Sequence, residues 1–195
     1  VLDMLNYKYK KVNNLKEAFS KKADIYIVSG LSDVKEFDAK KAKLILDNVN
    51  KGAKVLLLKT GEKATAIFPK HITKYLNKKM ETAHIDITES KVFKDLEYFD
   101  LRYFSNLKAE KPLVYSGLYQ INESKSNIVC IASGCQHRYA RGQDRRKEML
   151  TMKGFPIISI TNKGKAVFSE MMTNKGLYDP VAAKLIINLI SETLE

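Results

Sequence analysis

The sequence predicts an α/β chain, a three-layer α/β/α sandwich of flavodoxin-like type with a mostly parallel sheet and a C-terminal β-hairpin extension. Three observations predict it. Two short apolar runs, Asp24-Ile-Tyr-Ile-Val-Ser-Gly30 and Lys54-Val-Leu-Leu-Leu-Lys59, lack the alternation of a one-sided strand and read as strands buried on both faces. A helical stripe lies between them. The chain then closes on a hairpin that runs into a capped helix.

Taken in order, residues 38–50 carry Ala42, Ile45, Leu46 and Val49 at helical spacing, and Lys51-Gly52 supplies a basic last turn and a C-cap. Strand, helix, glycine and strand make a βαβ unit with an expected right-handed crossover. Pro69 opens a short helical stretch through Asn77, and residues 83–88 alternate as a strand. Residues 126–133 form a further buried strand, followed by a polar segment. From Pro156 a hairpin runs through Asn162-Lys163-Gly164 to Phe168. Asp179 at the N-cap and Pro180 at the first helical position start the last helix, because proline there lacks only an N–H that would be unpaired anyway. Its stripe is Val181, Leu185, Ile186, Leu189 and Ile190.

A length of 195 residues suits one domain, residues 1–195, large enough to bury a proper core. No apolar run approaches the length of a membrane span. The first residue is Val1 with no basic-then-apolar leader before it, so the expectation is a domain excised from a larger chain. The net charge of +12 raises the question of nucleic acid. Of the 34 basic residues, however, 29 are lysines scattered from Lys8 to Lys184, the pattern of a solvated surface rather than of a nucleic-acid interface. Cys130 sits in an apolar strand as a small core residue, and a Cys130–Cys135 disulfide is neither required nor excluded.

The loops after the strands are where ligands of open α/β sheets bind. Ser29-Gly30-Leu31-Ser32-Asp33 is neither a dinucleotide fingerprint nor a Walker loop, and Lys59-Thr60-Gly61-Glu62-Lys63 has no nucleophile between paired glycines. No cofactor is expected, and no catalytic residue is assigned. His71 and His84 are isolated, without metal-ligand spacing. Cys135 and His137 are one residue apart, but no third group is suggested to orient them, and a surface loop is the simpler reading; a small enzyme using this pair, or a free-standing anion- or nucleic-acid-binding protein, stands as the alternative function. Four of the five arginines, Arg138, Arg141, Arg145 and Arg146, crowd into nine residues. On a helix, Arg138, Arg141 and Arg145 would share a face, suiting an anion site or a docking surface. The aromatic run holding Tyr98, Phe99, Tyr103 and Phe104 is a candidate contact surface for sugar rings, set against a core or interface reading.

The chain also resembles a known module. The stretches Ala23–Gly30, Val49–Leu58 and Leu96–Phe104, the turn Asn162-Lys163-Gly164-Lys165, and Asp179-Pro180-Val181-Ala182 with the helix after it are similar to the glutamine-amidotransferase-like domain of bacterial glycoside hydrolases of the β-galactosidase and β-glucuronidase type. That resemblance implies a non-catalytic accessory domain beside a glycosidase barrel, aiding oligomerisation or shaping a carbohydrate cleft, in a periplasmic or extracellular protein. The catalytic carboxylates would then lie elsewhere on the polypeptide. The amidotransferase cysteine has no counterpart near Lys59-Thr60-Gly61, so the resemblance carries no catalytic residue over.

Overall fold

The computed structural model describes residues 2–79, 83–85, 90–97, 100–101, 104, 113–134 and 154–195. A short helix α1 (Leu15–Phe19) leads to β1 (Tyr26–Ser29), α2 (Ala39–Asn50), β2 (Lys54–Leu58), α3 (Lys63–Ile67), β3 (Ile72–Leu76) and β4 (Ala83–Ile85). Then follow β5 (Leu118–Ile121), β6 (Ile128–Gly134), β7 (Ile157–Thr161), β8 (Lys165–Ser169) and α4 (Pro180–Leu194). The central sheet has the order β1-β2-β8-β7-β6-β4, and β3 pairs with β5 in a separate two-stranded sheet. β1, β2 and β8 pair in parallel, whereas β7 is antiparallel to both β8 and β6, so β1, β2, β6 and β8 run the same way. Their carboxyl ends therefore share one edge.

The α/β/α layering follows from period-two burial. On β2, Val55 and Leu57 join a core under α2 and α3, while Leu56 and Leu58 join a core under α4. β8 repeats the division, with Ala166 and Phe168 on the first face and Val167 on the second. Both faces of these central strands are covered, as their unbroken apolar sequence predicts. β1 departs from that expectation. It is the sheet edge, and Tyr26, Ile27 and Val28 are only half-buried. β6 likewise exposes Val129 at 42%, because on one side it has only the three-residue β4 beside it.

Helix starts and stops are where the sequence places them in two cases. Asp38 and Asp179 cap α2 and α4, each carboxylate accepting a backbone N–H, from Lys41 and Ala182. Lys51 ends α2, and Gly52 follows at φ 107°. The helix expected from Pro69 to Asn77 is instead the strand β3. Pro69 follows the C-cap Phe68 of α3 and so stands as a stop signal rather than a start, and Ile72, Thr73 and Tyr75 are strand-forming side chains. The closing hairpin forms as expected, and its second strand is inserted into the centre of the sheet between β2 and β7.

The amino edge of the sheet is held by polar ties. Lys165 Nζ meets both the Glu192 carboxylate at 2.7 Å and the Glu192 carbonyl at 2.6 Å, and Lys54 Nζ meets the Leu194 carbonyl. Two ammonium groups thus satisfy the carbonyl end of α4, where positive charge is favoured. Beside them Asn162 Nδ2 donates to Asn50 Oδ1, and Asn127 Nδ2 donates to Thr161 O and Asn162 Oδ1. His71 Nε2 lies 3.1 Å from Asn127 Oδ1, and burial lowers the pKa of this imidazole.

Gly164 is required by close approach. A Cβ there would stand 2.1 Å from Ala53 O and 2.7 Å from Val49 O, both backbone atoms that cannot rotate away. Gly164→Ala is therefore expected to destabilise by about 1–3 kcal/mol or more. Asp179→Ala should cost only about 1 kcal/mol through the lost cap. Thermal unfolding ranks the two, at about 2–4 °C per kcal/mol for a chain of this size.

Candidate functional site at the carboxyl edge of the sheet

Immediately after β8 the chain places Glu170, a carboxylate only 1% exposed. Its Oε1 accepts from Tyr119 Oη at 2.6 Å, the Gly61 N–H at 2.9 Å and Thr60 Oγ1 at 3.2 Å. Its Oε2 accepts from Ser116 Oγ at 2.8 Å and Tyr75 Oη at 3.3 Å. Burying a carboxylate costs several kcal/mol unless its lone pairs are matched, and five donors match them here. Thr60 Oγ1 also lies 2.7 Å from Tyr119 Oη, so the single Thr60 proton is shared between the phenol oxygen and the carboxylate. Burial, followed by the charge of Glu170, raises the pKa of both Tyr75 and Tyr119 above the ordinary phenol value. Both phenols therefore stay protonated as donors.

Each partner is delivered by a different element. Thr60 and Gly61 form the turn from β2 into α3. Ser116 lies on the segment entering β5, whose N–H donates to Glu170 O at 2.9 Å. Tyr75 and Tyr119 face each other across the small sheet and are set by ring packing. Tyr119 meets Phe168 edge-on at 5.8 Å, and Phe168 meets Phe68 edge-on at 5.5 Å.

The loop after β1 is fixed independently. Lys63 Nζ donates to the carbonyls of Leu31 (2.6 Å), Ser32 (3.1 Å) and Val34 (2.6 Å), and Gly30 takes φ 71°. The turn after β2 carries strain. Lys59 has φ 51°, a left-handed backbone that costs a residue with a Cβ about 1–2 kcal/mol, and no acceptor among the described residues takes the Thr60 N–H.

Most residues singled out from sequence are not among the described ones. Arg138, Arg141, Arg145 and Arg146, together with Cys135 and His137, fall outside the described residues, as do Tyr98, Phe99 and Tyr103. Phe104 is fully buried in the core under α4, leaving it no free ring face. Cys130 is half-buried in β6. Among the described residues no group of three or more His, Cys, Asp and Glu could hold a metal ion, and no helix is long and apolar enough to cross a membrane. Sequence reasoning missed Glu170. Its one signal was a lone acid set between Phe168-Ser169 and Met171-Met172.

No family model and no curated protein matches the chain. Among solved structures it is similar to a ThuA-like protein from Bacteroides uniformis, with a TM-score of 0.55 and 11% identity over 93% of this chain and 75% of that one. The likeness is one of fold. A cytoplasmic protein from Salmonella typhimurium aligns over the same shares at 12% identity, with a TM-score of 0.48.

The resemblance to a glycoside-hydrolase accessory domain is corrected by this comparison. The matched chain is described as ThuA-like, and the quarter of it left uncovered is too short for a glycosidase barrel of about 250 residues. The neighbouring catalytic domain, the role in carbohydrate metabolism, the carbohydrate cleft and the oligomerising role rested on that resemblance and fall with it. So does the periplasmic or extracellular location. The motifs that suggested it have structural reasons: Gly164 for close backbone approach, Asp179-Pro180 for a helix start.

Glu170→Gln places an amide donor against hydroxyl donors and is expected to cost about 1.5–3 kcal/mol in urea unfolding. Tyr119→Phe should cost about 1–3 kcal/mol, and Tyr75→Phe less, because its bond is longer and half-exposed. The raised phenol pKa values also set an alkaline limit. Above the unfolded value of 10.0 the unfolded chain releases protons that the folded chain keeps. Stability is thus complete below about pH 10 and falls as the pH rises beyond it, and Tyr119→Phe should flatten that fall in a series of melts.

Proposed function

We propose that this chain binds a small polar molecule at the carboxyl edge of its central sheet. The observation that carries the reading is the preorganised edge itself. The turns after β1 and β2 and the segment entering β5 are locked in place, the first by Lys63 and the others by Glu170. Open α/β sheets take their ligands at this edge, since the loops there can vary while the strands hold them still. A buried carboxylate with all its lone pairs engaged acts as a positioning group, leaving contact with the ligand to the residues around it.

The arginines enter as part of the same proposal. Gly134 ends β6 at this edge, and its N–H donates to Gly154 O at 3.0 Å. The intervening sequence carries Arg138, Arg141, Arg145 and Arg146, and the position of the two flanking glycines at this edge supports their reading as an anion-facing or docking cluster.

A soluble-fragment library screened by amide chemical shifts tests this. Bound fragments are expected to move the amides of Ser32, Thr60, Gly61 and Ser116, and Glu170→Gln should weaken them by about tenfold. Arg141→Glu with Arg145→Glu should weaken anionic fragments more than neutral ones. Fragments that instead gather at Asn50, Asn127 and Asn162 on the opposite edge would overturn the proposal.

A further inference from the structure

Three residues other than glycine take positive φ among the described residues: Asn6, Lys59 and Asp95. Asn and Asp tolerate that conformation because a short polar side chain bonds locally to the backbone, and lysine has no such compensation. Lys59 is held there from both sides. Its N–H donates to Ser169 O at 3.0 Å and its carbonyl accepts from the Ser32 N–H at 2.9 Å, so the residue bridges the ends of β1, β2 and β8. Glycine would occupy the position without strain.

Among the described residues the ammonium has no partner of its own. Lys59 is half-buried, yet no carboxylate or carbonyl among the described residues lies within hydrogen-bond distance of its Nζ. Lys63, four residues on, is saturated by three carbonyls. The nearby acids are engaged or solvated: Glu170 accepts five hydrogen bonds, Asp33 accepts from Ser32 Oγ and is exposed, and Glu62 is exposed. A strained residue retained at a ligand edge where glycine would fit points to use of its side chain.

We infer that Lys59 is the ligand-contacting cation of this edge, and that the ligand presents it with an oxyanion, a carboxylate or a phosphate. This rests on the ligand edge proposed above and adds the charge class of the ligand and the residue that reads it. The strained backbone places Lys59 where the turns after β1, β2 and β8 meet, and a compact point charge on a flexible stem suits either kind of oxyanion.

The test titrates inorganic phosphate and citrate into the full chain at constant ionic strength, following amide shifts at residues 30–33 and 59–62. Saturable binding is expected from at least one anion. Lys59→Gln and Lys59→Gly should each weaken it by about tenfold or more, as loss of a charged hydrogen bond does. Lys59→Arg should retain most of it, and Lys70→Gln, at an exposed lysine of the opposite edge, should leave it unchanged. Without anion, Lys59→Gly should melt no lower than the parent and up to about 2–4 °C higher, the mark of released strain. Binding that survives Lys59→Gln, or a marked fall in the melting temperature of Lys59→Gly, overturns the inference. If neutral fragments move these amides while both anions do not, the anion class is overturned and the ligand edge stands. If nothing moves them, both fall.

Discussion

The carboxylate of Glu170 is the constraint on which the carboxyl edge depends. It sits at the end of the strand inserted into the middle of the sheet, where desolvation would be costly for an unmatched charge. Its five donors come from the β2 turn, from the small sheet and from the segment entering β5. Removing one leaves the others facing a carboxylate with an unmatched lone pair, so the network is cooperative rather than a sum of separate bonds. It also explains how a two-stranded sheet, too small to be stable alone, is fastened to the larger one.

The two edges of the sheet differ in how their polar groups are matched. At the amino edge the groups are mutually satisfied: Lys165 with Glu192, Lys54 with the carbonyl end of α4, and the amides of Asn50, Asn127 and Asn162 with one another. At the carboxyl edge the deeper layer is equally satisfied, around Glu170 and Lys63, but the turn above β2 is not. Lys59 keeps a left-handed backbone on that rigid base, and its ammonium is unmatched among the described residues. Stability elsewhere makes such a local departure tolerable, and functional sites are where such departures collect.

The corrected resemblance shows what short motifs can and cannot carry. The Asn162-Lys163-Gly164 turn and the Asp179-Pro180 helix start recur because backbone geometry demands them. Gly164 lies against the carbonyls of Val49 and Ala53, and Asp179 caps an otherwise unpaired N–H of Ala182. Any α/β chain with this hairpin and helix meets the same demands, whatever it binds. Fold travels with such motifs, and function does not.

The sequence by itself determined the elements whose signals are local. The βαβ unit, the caps of α2 and α4, the closing hairpin and the α/β layering were all legible, because each depends on periodicity or on a cap within a few residues. The strand β3 was misread, since Pro69 serves equally to stop one helix or to start another, and pairing with β5 decides between them. The candidate site was almost wholly illegible. Glu170 draws its donors from 51 to 110 residues away along the chain, and no local pattern marks a carboxylate for burial at that meeting point. The strain at Lys59 is likewise imposed by Ser169 on one side and Ser32 on the other. Only the tertiary structure decides such features, because a buried charge and a strained turn are stable only when distant parts of the chain converge to hold them.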